Sequence, residues 1–269
     1  MYQNSGNVNF HLKNYSFFPR ALAKKQQLEH IVNWAIAMLI ITGTGRSGTG
    51  TMAKLFGGHH EFRLNYILDK YFLHAVPHSD PFGTIEKRIS VMLDLHQGID
   101  REAFVDASNL YIYFIDALYL LNPEIKIILT VRNGKDFVRS AFSRKWHEQK
   151  TFGTVPLRND LYYDQWDSMT PIQKNAWIWQ YRTRKALEGL SSLPAGQKLV
   201  LKIEDIHKQE TLDMLESFTC KRIYDRACSE KRHNANPGYS LPPKEMWTEQ
   251  QEREFRAIAG GMMRFFGYD

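Results

Sequence analysis

Apolar positions along this chain follow two rhythms. Short runs rich in aliphatic and β-branched residues occur at Met38–Ile41, at Ala103–Val105 ending on Asp106, at Ile125–Val131 and at Leu199–Ile203. Such runs predict buried strands. Between them the spacing becomes helical. Met52, Leu55 and Phe56 follow the first strand, and Leu110, Phe114, Ala117, Leu118 and Leu121 follow the second, up to Asn122-Pro123. Phe137, Ala141 and Phe142 follow the Asn133-Gly134 turn. Thr170-Pro171-Ile172-Gln173 is a capping box with proline at the first helical position, and Thr248 with Gln251 opens another. The last stripe, Phe255, Ile258, Ala259, Met262, Met263 and Phe266, stops at Gly267. Strands alternating with helices predict a single α/β domain, a central parallel sheet flanked by helices on both faces. We place that domain at 35–269. Residues 1–34 are expected to form an N-terminal arm and a short helix, around Ala21 to Trp34, packed on it. The 57–100 stretch shows no clear period and mixes His59, His60, Glu61, His74 and His78 with prolines.

The first strand runs into T-G-T-G-R-S-G-T-G-T, residues 42–51, with four glycines between Gly43 and Gly50. A strand, a glycine-rich turn and a helix start together predict a P-loop-like phosphate-binding turn, because its backbone N–H groups can approach an anion closely. Thr49 stands where a Walker loop carries lysine, and the cation comes earlier, at Arg46. A second basic stretch begins at a strand end: Arg132, with Ser140 eight residues on, could hold a second phosphate. A solvated basic helix face would explain Lys135, Arg139, Arg144 and Lys145 equally well.

The chain has 269 residues and a net charge of +6, which admits an anionic nucleotide, nucleic acid or an anionic membrane surface. Two cysteines are too few for a disulfide framework. The sequence starts without the apolar core of a signal peptide, and no apolar run reaches the ~20 residues of a membrane span. The expectation is a soluble, cytoplasmic protein.

The pair G-R46-S-G-T and R132-N-x-x-D-x-x-x-S140 resembles the two signatures of the sulfotransferases that use 3′-phosphoadenosine 5′-phosphosulfate (PAPS). The resemblance implies that Gly45, Arg46, Ser47, Gly48, Thr49, Gly50 and Thr51 cradle the 5′-phosphosulfate. It also implies that Arg132 and Ser140 grip the 3′-phosphate, with Arg232 as a further clamp. Leu199–Asp205 looks like that family's strand ending in Glu-Asp, and Phe266-Gly267-Tyr268 like its closing Gly-Tyr. Four positions depart from the pattern: Gly50 replaces a threonine, Gly134 replaces a proline, neither His nor Lys stands near Ala107, and no carboxylate stands near Ile67, where many relatives carry a catalytic glutamate, although Asp69 is two residues on.

The activity implied by this resemblance is sulfuryl transfer from PAPS to a hydroxyl, or an amine, of a carbohydrate, lipid or small molecule. The product would be 3′-phosphoadenosine 5′-phosphate. The expected partner is that acceptor, with no nucleic acid, no membrane span and no metal; a homo-oligomer is compatible with the sequence. Arg46 would stabilise charge on the departing nucleotide. Asp106 and Asp69 are the first candidates for the base, with His59 and Glu61 next. Asp106 as a helix cap and Asp69 as a solvated charge are the plain alternatives. Two other functions stay open. One is a P-loop-type phosphotransferase or kinase, with Glu204-Asp205 holding Mg²⁺. The other is a non-catalytic nucleotide- or nucleic-acid-binding protein.

Overall fold

The computed structural model describes residues 39–72, 75–97, 104–230 and 238–268. All of these belong to the second of two compact units, Ile36–Asp269. The expected arm and helix of residues 1–34, Met38, and Arg232 lie outside the described residues.

In chain order the elements are β1 (Leu39–Gly43), α1 (Thr49–Leu55), β2 (His59–His60), α2 (Leu64–Ile67), a π-helical turn (Leu68–Phe72) and α3 (Ile85–His96). Next come β3 (Val105–Ala107), a 3₁₀ turn (Asn109–Tyr113), α4 (Ile115–Leu121), β4 (Lys126–Val131), α5 (Gly134–Phe142), α6 (Pro171–Ser191) and β5 (Lys198–Lys202). The chain closes with α7 (Gln209–Thr219) and α8 (Glu249–Phe265).

Among the described residues five strands form one sheet, all parallel, in the order β2-β3-β1-β4-β5. Alternation along β1 divides the core into two layers. Ile40 joins Ile127 and Leu129 beneath α3, α4, α5, α6 and α8, with Phe114, Phe137, Trp179 and Phe255. Leu39 and Ile41 join Val105, Ala107 and Ile128 beneath α1 and α7, with Met52, Leu55, Leu212 and Leu215. Both faces of β1 are therefore buried, which is why its sequence is an unbroken apolar run. The chain crosses from β3 to β4 past β1, so the strand order reverses at β1, the place where open parallel sheets bind ligands. The carboxyl ends of β1 and β4 are neighbours there, with Gly43 opposite Thr130.

Both capping boxes form, at Thr170/Gln173 and Thr248/Gln251. The helix expected over Leu110–Leu121 is broken. Ser108 caps a 3₁₀ turn by accepting from Leu110 N, and the backbone leaves helical geometry at Phe114 before α4 starts. The Tyr111 hydroxyl in that turn is held by Asp106. The unperiodic 57–100 stretch contains α3, whose start is capped by Thr84 accepting from Lys87 N. The apolar run Ala103–Val105 pairs as Val105–Ala107, so Asp106 lies within its strand rather than just past the end.

Candidate active site at the carboxyl end of β1 and β4

The turn after β1 takes its shape from left-handed backbone at Gly45 (φ 83°), Arg46 (φ 54°) and Gly48 (φ 85°). A side chain at Gly48 would put its Cβ 2.4 Å from Ile203 Cδ1, and one at Gly45 would meet the Trp146 ring at 2.7 Å. At Arg46 the left-handed conformation costs on the order of 1–2 kcal/mol. The surroundings hold it there: the Arg46 carbonyl accepts from Arg132 Nη1 at 3.1 Å.

The two basic stretches meet at this turn. Arg46 Nε donates to Ser140 Oγ at 2.9 Å, across 94 positions of sequence. Ser140 is fully buried on α5, and Arg132 leads into the same helix from β4. Burial, then the neighbouring Arg144 and Arg132 guanidiniums, pull the Arg46 pKa below the ordinary arginine value; Tyr239 opposes this. Like charges gathered in a partly desolvated spot create a strong positive potential for an anion to neutralise.

Ser47 is turned the other way. Thr130 Oγ1 donates to the Thr42 carbonyl at 3.0 Å and lies 3.2 Å from Ser47 Oγ, so Ser47 is the donor in their contact. Its hydroxyl braces the turn against β4, and its backbone N–H is what it can offer a ligand. Thr49, the first residue of α1, has its hydroxyl 3.4 Å from His60 Nε2. Gly50 and Thr51 follow in the same helical turn, both half-buried.

Gly134, at the position where the resemblance leads one to expect proline, has two structural reasons. A Cβ there would lie 2.9 Å from both Phe255 and Trp179, and its N–H reaches Met263 Sδ at 3.3 Å. Proline would clash and would remove that donor.

Arg182 was not singled out by the sequence pattern. It is buried in the middle of α6, donating Nη1 to the Thr44 carbonyl at 3.2 Å and Nε to the Gly153 carbonyl at 3.0 Å. Its guanidinium sits 4.7 Å from the centre of the Trp146 ring. A signal existed: Arg182 stands four residues from both Ile178 and Ala186, on the helix's apolar stripe.

The carboxylates proposed as base are placed elsewhere. Asp106 is fully enclosed, accepting from the Tyr111 hydroxyl at 2.5 Å and from Phe62 N at 3.4 Å. Burial raises its pKa, and the hydrogen bonds from Tyr111 and the backbone work against that rise. It presents no surface to a substrate, and the capping role belongs to Ser108. Asp69 is exposed on the π-helical turn, whose Lys70 and Tyr71 both bond Asp94 of α3. His59 packs on Phe62 and Phe104. Glu61 takes a left-handed backbone, with its N–H on the Ala107 carbonyl. Glu204 accepts from Asn133 N and Tyr268, and Asp205 pairs with Lys208 at 2.7 Å, so both acids already have protein partners. Among the described residues no group of three or more His, Cys, Asp or Glu could hold a metal ion, and no helix is long and apolar enough to cross a membrane.

No family model and no curated protein matches the chain. Several solved structures do. The sulfotransferase from Alicyclobacillus acidocaldarius is 16% identical, with 84% of this chain and 92% of that one covered at a TM-score of 0.47. Sulfotransferase STF1 from Mycobacterium tuberculosis H37Rv is 13% identical over 88% and 81%, at 0.46. The sulfotransferase domain from the curacin biosynthetic pathway is 15% identical over 70% and 75%, at 0.44. The chain is similar to these proteins at TM-scores below 0.5.

Proposed function

We propose that this protein is a PAPS-dependent sulfotransferase acting on a hydroxyl of a small molecule, lipid or glycan. One observation carries the reading. Arg46, Arg132 and Ser140, from two separate stretches, converge within hydrogen-bond distance at the strand-order reversal. In this reading the turn residues 45–51 hold the 5′-phosphosulfate, while Arg132 and Ser140 take the 3′-phosphate. Binding then exchanges the Arg46–Ser140 bond, in which only the donor is charged, for guanidinium–phosphate bonds in which both partners are.

The transferred group passes from the phosphate oxygen to the acceptor oxygen, and negative charge grows on the bridging oxygen left behind. Arg46 and the N–H groups of the turn stabilise that charge where it develops. The proton of the acceptor needs a base. His60 is our candidate in place of Asp106 and Asp69, since its imidazole is within 3.4 Å of the Thr49 hydroxyl at the start of α1.

Isothermal titration tests the donor. 3′-Phosphoadenosine 5′-phosphate should bind far more tightly than ADP, and equal or absent binding of the two would refute the proposal.

A further inference from the structure

The last described residues of the chain are tied to the back of the Arg132 turn. Glu204 uses both carboxylate oxygens: Oε1 accepts from Asn133 N at 2.8 Å, and Oε2 accepts from the Tyr268 hydroxyl at 3.0 Å. Tyr268 is itself held. Its N–H donates to the Met263 carbonyl at 3.1 Å, and Lys202 Nζ lies 4.7 Å over its ring while donating to the Gly267 carbonyl at 3.3 Å.

Asn133 is the residue between Arg132 and α5, and it caps that helix by accepting from Lys135 N. Three groups thus fix successive peptide units here: Trp179 Nε1 on the Arg132 carbonyl at 3.1 Å, Glu204 on Asn133 N, and Met263 Sδ on Gly134 N. Glu204 is the charged member of the three, and its bond is the strongest in kind. A carboxylate near the cationic cluster weakens that cluster's pull on an anion, so its placement has to be justified by what it orients. It lies at the N-terminus of α5, the helix that carries Ser140 and whose first turn follows Arg132. Shifting that N-terminus would move both residues relative to Arg46.

We infer that Glu204, backed by Tyr268, is a positioning residue that sets Arg132 and Ser140 in register for one phosphate, and so sets the preference for a 3′-phosphorylated nucleotide. This rests on the donor reading above.

The test measures calorimetric affinities of the full chain for 3′-phosphoadenosine 5′-phosphate and for adenosine 5′-monophosphate, which lacks the 3′-phosphate. Glu204→Ala should weaken the bisphosphate roughly tenfold, the scale of one charge-assisted hydrogen bond, and change the monophosphate less than about twofold. Glu204→Gln should restore most of the loss, because its amide can accept from Asn133 N and donate to the Tyr268 oxygen. Tyr268→Phe keeps the ring and removes only the hydroxyl; it serves if Glu204→Ala does not fold, and should show the same selectivity in smaller measure. A wild-type protein that prefers the bisphosphate, with folded variants that keep the full preference or lose both affinities equally, overturns the positioning role alone. A wild-type protein without the preference overturns the donor reading, and this inference with it.

Discussion

The rim of the sheet has two halves, and they handle charge in opposite ways. Past β1 and β4, Arg132 and Arg144 gather near Arg46, which bonds Ser140, and their repulsion adds to burial in lowering the Arg46 pKa. Past β2 and β3 the polar groups satisfy one another. Asp106 takes the Tyr111 hydroxyl and Phe62 N, and Tyr111 lies 3.4 Å from His96 Nε2, whose Nδ1 is 2.9 Å from the Met92 carbonyl. A closed network of this kind rigidifies a core and leaves none of its own members, Asp106, Tyr111 or His96, for a substrate. Like charges brought together do not lower the free energy of the free protein, and they make sense when an anion arrives. The contrast separates the proposed binding site from a structural anchor, although both halves have a charged residue at or near a strand end.

Three substitutions would break or sharpen that contrast. Arg46→Ala removes the donor proposed to face the developing charge, and should lower kcat on the order of 10²–10³-fold with the fold intact by circular dichroism. A loss below about threefold would move the catalytic cation elsewhere. His60→Ala should slow transfer about 10²-fold while leaving the affinity for 3′-phosphoadenosine 5′-phosphate unchanged. Equal loss of both would make His60 a structural partner of Thr49.

On the anchored side, Asp106→Asn should leave donor affinity unaltered and change only the pH dependence of stability. The folded-state pKa of Asp106 is raised above its ordinary value of 3.8, so the folded protein binds this proton more tightly than the unfolded chain does. Its contribution is therefore fully present below that ordinary value and is lost as pH rises through the folded-state value. Urea midpoints should show the wild type falling relative to Asp106→Asn over that window, and parallel curves would remove the assigned shift.

The legible parts of this protein were those whose partners are near in sequence. The two capping boxes each span four residues, and the turn after β1 carries its glycines and Arg46 together. Even a Glu-Asp strand end and a closing Gly-Tyr stood out as separate likenesses. That Tyr268 bonds Glu204, across 64 positions, could not be read from either. Arg182 was not singled out, because the partner that gives it a place, the Thr44 carbonyl, lies 138 positions away. Asp106 looked catalytic because the apolar run ends there, and pairing with β1 carried the strand one residue further and enclosed it.

By itself the sequence determined the alternation of strands and helices, the sharp turn at Gly45–Gly48 and the presence of two cationic stretches. These come from side-chain periodicity, from the steric freedom of glycine and from charge, all set by neighbours along the chain. Which cations meet and which acid disappears into the core were decided by the order β2-β3-β1-β4-β5. That order sets β1 beside both β3 and β4, and no local pattern encodes it, because it results from how two apolar layers close over the sheet as a whole.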